Sequence, residues 1–393
     1  MNAIDDVDLE NVLELMAVPG EPGKEAEVAR LVREKLIALG VPAGNIVSDQ
    51  AHRRSEIGGQ VGNLIVRFPG RGEGPCRMLA THLDTVPGAV GCKPRLQGDR
   101  IVNDAVGKAL GADARAGCAV LLAAARALVE LAGDHPPRVL VFFVQEEIGL
   151  VGSRWLDVEL LGEPRPEMCF NFDGAEATEV VRAVIGTERL HITVRGVAAH
   201  SSTPRRGISA AAIQARAVAE LVDAGWHGVV DRPEGRGLAN LGVIRGGTGS
   251  NVVMPELYAL FEARSHNRDF RRRIVEVWKE AFCRQVQRAN DEACCAEGRA
   301  EVDFRPGPVY DPYALPENAP VVQAAVDAIR RAGCEAKLII DDGGQDSAWV
   351  VAHGIPAVGL GFGGRAAHSV DEWLDVEQFK LACKVASELV KAG

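Results

Sequence analysis

The chain has 393 residues, 47% of them hydrophobic and 25% charged, which fits a soluble globular protein and exceeds what one compact core usually holds. Forty-four basic against 54 acidic residues leave a net charge of -10. That balance argues against a general nucleic-acid or anionic-membrane partner, since both need basic faces.

The N-terminus, MNAIDDVDLE, lacks the apolar core of a signal peptide, and no apolar run is long enough to span a bilayer. A cytoplasmic protein is expected. The nine cysteines are scattered without a CxxC pair, so free thiols are expected rather than a disulfide framework or a thiolate zinc site.

Residues 24–40 carry helical periodicity and stop at a glycine. The runs 63–68, 77–86, 138–146 and 167–173 read as strands buried on both faces, and the Ala- and Leu-rich stretch 111–132 as a buried helix. Strands separated by helices predict a largely parallel α/β sheet.

The pattern changes near residue 186. A strand (189–196), a helix (209–225), two strands (238–247 and 256–267), a long charged helix (268–297) and a closing strand (300–306) give the order β-α-β-β-α-β, a ferredoxin-like unit. After residue 307 the first style returns, with helix 318–333, strand 336–342, another helix, strand 355–364 and a last helix, 375–392. The predicted organisation is an α/β domain in two segments, 1–185 and 307–393, with an inserted domain at 186–306.

The polar residues at the ends of these strands carry the chemistry. FFVQEEIGLVGS (142–153) starts as core and then places Glu146 and Glu147 side by side. Two ionised neighbours there would repel and lose hydration unless a cation compensates. The conflict resolves if one Glu binds a metal ion and the other acts as a general base on water that the ion activates.

THLDTVPG (81–88) places His82 and Asp84 two apart, on one face of a strand end. This is either a structural hydrogen bond or a metal ligand with the carboxylate that orients it. Asp113 precedes the buried helix, where an N-cap is the ordinary role. Asp173 and His368 follow two further strands. In an open α/β sheet the carboxyl ends of the strands share one edge, where ligands bind. Two His and several carboxylates without Cys suit one or two Zn, Mn or Co ions.

In this order and spacing the motifs resemble the two-metal peptidases and amidohydrolases that include peptidase T, aminoacylase, succinyl-diaminopimelate desuccinylase and glutamate-releasing carboxypeptidase. The resemblance covers nearly the whole chain. It implies a zinc-exopeptidase-like fold in which the inserted domain is a lid and dimerisation domain.

By that resemblance two divalent ions are expected, Zn first with Mn or Co as alternatives. His82 and Asp173 would hold one, Glu147 and His368 the other, and Asp113 would bridge them. Glu146 would be the general base and Asp84 would orient His82. GVAAHSSTPRRGISA (196–210) resembles the lid segment in which His200 helps to stabilise the oxyanion, commonly from the partner subunit. SNVVMPE (250–256), FEARS (261–265) and GGQDS (343–347) imply that Asn251, Arg264 and Gly344 contact the substrate. Arg264 would pair there with a carboxylate.

The chain departs from many relatives after the bridging aspartate, where Ala114 replaces a second acid and Arg115 follows. In the family the peptide after that aspartate is often cis.

EEIGLVGS and VIGTERLHITVRG lean toward the peptidase T-like tripeptidases, which implies a homodimeric exopeptidase acting on a short peptide. An N-acyl amino acid deacylase or a carboxypeptidase would use the same core, and an inactive peptide-binding relative is a remote alternative. GLGFGG (359–364) fits a dinucleotide pattern but lacks its βαβ context, and neither G-x-S-x-G nor HExxH occurs.

Overall fold

In a computed structural model describing residues 4–391, the chain divides into two units: Met1–Val184 with Ala314–Gly393, and Ile185–Tyr313. The first is built on a nine-stranded sheet. Its centre is four mutually parallel strands in the spatial order Arg138–Phe143, Arg77–His82, Met168–Gly174, Ala357–Gly361. Leu64–Phe68 pairs antiparallel on one side, and Glu179–Val184 on the other.

The central strands are apolar at nearly every position because both faces are covered. Met78 and Ala80 join a core with Val139, Val141 and Val350. Leu79 points the other way, into a larger core with Leu140, Phe142, the helix Ala112–Glu130 and the helix Val376–Lys391. The first of those helices lies unusually close to the sheet. A Cβ on Gly117 would press on Thr81 Oγ1 and sit 2.7 Å from the Phe172 carbonyl oxygen, so only glycine permits this approach.

Several boundaries differ from the periodicity reading. The strand read as 77–86 ends at His82, and the one read as 138–146 ends at Phe143. Glu146 and Glu147 therefore lie in the turn beyond the sheet. The strand Glu179–Val184 was not anticipated, because its sequence, EVVRAV, is short and its apolar run is broken by Arg182. It is the partner of Lys337–Asp341, which joins the sheet at the periphery.

The second unit is a five-stranded antiparallel sheet in the order Gly228–Arg232, Gly235–Gly246, Glu256–Ser265, Gly186–Arg195, Glu301–Tyr310. The helices Ala210–Asp223 and Arg268–Glu292 pack on one face of it. Glu256–Ser265 alternates buried and half-buried residues, as a sheet covered on one side should. Trp278 stacks on Phe261 with ring centroids 3.8 Å apart. The observed order has one strand more than β-α-β-β-α-β. A hairpin adds Gly228–Arg232 as an edge strand that the sequence reading left unassigned.

Candidate metal centre

The candidate ligands gather beyond the carboxyl ends of the central parallel strands. His82 is the last residue of its strand and is 1% exposed. Its Nε2 lies 3.1 Å from Asp113 Oδ1 and 3.5 Å from Asp173 Oδ1. His368 Nε2 lies 3.2 Å from the other Asp113 oxygen, Oδ2, and 3.0 Å from Glu147 Oε2. The two oxygens of Asp113 thus face different histidines, the arrangement required of a bridging carboxylate.

Two groups result, His82–Asp113–Asp173 and Asp113–Glu147–His368, each with ligand atoms within 4.8 Å of one another. Glu146 belongs to neither group.

Local backbone geometry aims these side chains. Asp113 is not the N-cap of its helix. Gly111 takes that position at φ 75°, and Asp113 and Ala114 have non-helical angles, with a cis peptide bond between them. The kink frees the Asp113 carboxylate to point at the histidines. Glu372 pins this segment, accepting the Gly111 N–H at 2.7 Å and the Asp113 N–H at 3.2 Å. Arg115 is buried facing away, donating to the carbonyls of Leu15 and Gly20. His368 itself is held at φ 65°, an uncommon conformation for a non-glycine residue.

The Glu146–Glu147 turn has its own scaffold. Gln145 takes φ 55° and Leu150 φ 60°, and the Glu146 carbonyl accepts the N–H groups of Gly149 and Leu150. Asp84, fully buried, accepts the Glu146 N–H at 3.0 Å on one oxygen and the Glu147 N–H at 3.1 Å on the other.

Asp84 therefore does more than orient His82. The nearest acceptor to His82 Nδ1 is the Asp84 backbone carbonyl, at 3.0 Å, while the carboxylate stands 3.5 Å away. The residue still orients His82, chiefly through its main chain, and its side chain orients the glutamate pair. Amide N–H groups in a turn satisfy a buried carboxylate better than a single ring N–H.

The electrostatics show what the cluster lacks. Burial raises Glu146 well above the carboxylate range. His82 opposes the shift, and Asp173, Asp346 and Glu147 add to it. Burial likewise pushes Asp173 to about 7. For Asp113 burial also acts upward, but the hydrogen bonds from His368 and His82 outweigh it and hold the group below its usual value. Hydrogen bonds to Asp113 and Glu147 lift His368 to about 10. The two histidines thus hold the carboxylates together through their ring nitrogens, and Glu147 Oε1 is buried with no partner. Nitrogen and oxygen donors in two groups sharing one carboxylate, with a free buried oxygen, fit a pair of divalent cations.

Three acids that the sequence reading passed over support the site. Glu372 is described above and stands four residues after His368. Glu25 accepts the Gln145 N–H at 3.1 Å, just ahead of the glutamate pair, and burial pushes it to about 7. Asp346 is fully buried, bonded to the Ser153 hydroxyl at 2.5 Å and pushed by burial to about 8. Asp346 lay in the quoted loop GGQDS, where only Gly344 had been singled out.

The expected substrate residues of the second unit do not converge within it. The His200 and Asn251 segments are adjacent: His200 bridges Val252, and the Asn251 carbonyl accepts the Ser201 N–H at 2.9 Å. Arg264 lies near the other end of the strand that begins at Glu256, eight residues on, or about 26 Å at strand rise. Its guanidinium donates to Glu262 at 2.7 Å.

The signature described as Peptidase family M20/M25/M40 matches residues 78–392. The chain belongs to this family. Its members bind two divalent metal ions, in keeping with the two ligand groups. M20 relatives match along the full length. The Bacillus subtilis protein YqjE is 28% identical over 98% of this chain and 97% of its own. A tripeptidase from Staphylococcus aureus superposes with a TM-score of 0.84 at 29% identity, covering 98% of each chain. The aminopeptidase PepT of Bacillus cereus gives 0.80 at 28% identity, again over 98% of each. The M20 assignment makes the chain a metal-dependent hydrolase.

Proposed function

We propose that this M20 protein is an aminopeptidase of short peptides, releasing the first residue of tripeptides, with Zn as the native metal and Mn or Co able to replace it. The carrying observation is Asp113, which presents one oxygen to each ligand group while Glu146 stays outside both. The full-length likeness to a tripeptidase and to PepT supports the choice of substrate.

In this reading His82, Asp113 and Asp173 hold one ion, and Asp113, Glu147 and His368 the other. Bound there, the ions supply Lewis acidity, polarising the scissile carbonyl and acidifying water. Glu146 takes the proton of the attacking water and returns it to the leaving amine nitrogen. Its raised pKa suits a group that must hold a proton between those two transfers. Asp84 keeps Glu146 and Glu147 aimed, and the Gly344 segment borders the substrate.

The second unit serves as lid and dimerisation domain. His200 lies beside Val252, ahead of the strand Glu256–Ser265, and Arg264 near the far end of that strand, so in this reading the two do not reach one small peptide from the same lid. Arg264 therefore binds a substrate carboxylate, exchanging it for Glu262, and His200 comes from the partner of a homodimer. No helix among the described residues is long and apolar enough to cross a membrane; a cytoplasmic location is part of the proposal.

The test offers the metal-loaded protein a free tripeptide and its N-acetylated form, with products read by mass spectrometry. Release of the first residue from the free peptide alone is expected. Loss of acetate, or of the last residue from both, moves the protein to the deacylase or carboxypeptidase reading.

A further inference from the structure

Beside the metal-ligand cluster the first unit contains a cavity of about 260 Å³. Asp113 and Asp173 form one wall, Phe362, Ala366 and Ala367 supply apolar surface, and Asp341 also lines it. Pockets for whole ligands run from roughly 300 Å³ upward, so this one has room for about one residue of a substrate.

Asp341 belongs to neither ligand group. Its carboxylate accepts the Gly343 N–H at 2.9 Å and the Gln345 side-chain amide at 3.4 Å, which leaves acceptor capacity unused. Gln345 also donates to the Asp173 backbone carbonyl at 3.0 Å, tying Asp341 to the ligand wall. No lysine, arginine or histidine among the described residues pairs with Asp341. The nearby Arg365 is engaged by Glu176 at 2.8 Å. Once divalent ions neutralise Asp113 and Asp173, Asp341 is the remaining uncompensated charge in the cavity, facing apolar walls that exclude water and so strengthen its field.

We propose that Asp341 and this cavity form a subsite for the ammonium group of the substrate residue on the acyl side of the scissile bond. The proposal rests on the peptidase reading above for the word substrate, but the binding it requires is independent of turnover. The ammonium has two sources, the α-amino group of the first residue or a basic side chain.

The experiment measures binding of L-alaninamide and L-lysinamide to the metal-loaded protein by calorimetry, for wild type and Asp341→Asn. Asparagine keeps an oxygen for the Gly343 N–H, so the turn survives. Loss of one charge-assisted hydrogen bond corresponds to about 10- to 100-fold weaker binding. Weakening of both amides assigns the subsite to the α-ammonium. Weakening of lysinamide alone assigns it to a side chain, and then wild type also favours Lys-Ala-Ala over norleucine-Ala-Ala in kcat/KM while the variant does not. Equal binding by both proteins, or no binding of either amide by wild type, overturns the proposal. If no tripeptide is cleaved yet amide binding still depends on Asp341, the subsite stands and the tripeptidase reading falls.

Discussion

Replacing Glu146 by glutamine separates the acid-base role from the metal-binding one. Glutamine is nearly isosteric, and the contacts that place residue 146 are made by its backbone. Its N–H goes to Asp84 Oδ1 at 3.0 Å and its carbonyl accepts from Gly149 and Leu150. None of these depends on the side-chain charge. What is lost is a carboxylate that trades a proton, a contribution of typically 10²- to 10⁴-fold, or about 3 to 5 kcal/mol of barrier.

The same change removes a charge that burial and the carboxylates of Asp173, Asp346 and Glu147 disfavour, so the variant should be at least as stable as wild type. The expected result is kcat reduced by that factor, KM within a few-fold, two metal ions still bound by elemental analysis, and an unchanged or raised Tm. A variant retaining activity within tenfold would place the base elsewhere. A variant that loses an ion would make Glu146 a ligand and refute the assignment of Glu147 as the binding member of the pair.

Metal loading should release protons. His368 stands at about 10 without a cation, so it is protonated at neutral pH and must lose that proton to bind. Apparent affinity then rises with pH up to about 10, and calorimetry in buffers of different ionisation heat should detect at least one proton released. An absence of buffer dependence would contradict this. Glu25, fully buried, is raised to about 7 from 4.5, so its neutral form favours the fold. Stability is therefore lost as pH rises from 4.5 through 7, by about 3 kcal/mol at most. Glu25→Gln keeps an oxygen for the Gly23 and Gln145 N–H groups, and its Tm advantage over wild type should grow between pH 5 and pH 8. A pH-independent difference would rule out the burial argument. Gly117→Ala should cost about 1–3 kcal/mol through overpacking against Thr81 and Phe172, seen as a Tm lower by several degrees. An unchanged Tm would mean that the helix can move off the sheet.

The parts legible in sequence were those written in runs. Each central strand has five or more consecutive buried positions, mostly apolar, and polar residues at or just past their ends stand out against them. His82, Glu146, Glu147 and Asp173 could be picked out in this way.

The supporting acids could not, because their partners, backbone N–H groups for Glu372 and Glu25 and a serine hydroxyl for Asp346, lie far along the chain. Glu372 serves residues 111 and 113, Glu25 serves 145, and Asp346 serves Ser153. A carboxylate accepting amide N–H groups leaves no sequence pattern at either end. The same reason hid a further task of Asp84, whose spacing from His82 suggested a side-chain partner while its oxygens also accept the N–H groups of Glu146 and Glu147, far along the chain. The strand Glu179–Val184 and the hairpin edge Gly228–Arg232 were missed because short strands with broken apolar runs carry little periodic signal.

The strand Ala357–Gly361 lies between Met168–Gly174 and Glu179–Val184, two neighbours in sequence that are kept apart in space. During synthesis the sheet must therefore hold an open slot while more than 170 residues, the whole second unit among them, leave the ribosome. His368 follows that late strand and reaches Asp113 and Glu147 only once the slot is filled. The half of the centre built from His82, Asp113 and Asp173 has no such wait. On the ligand assignment proposed above, an unfinished chain lacks a complete dinuclear centre and cannot act as a peptidase before residue 368 is in place. Pulsed hydrogen exchange during refolding should find the amides of Ala357–Gly361 among the last of the central sheet to be protected.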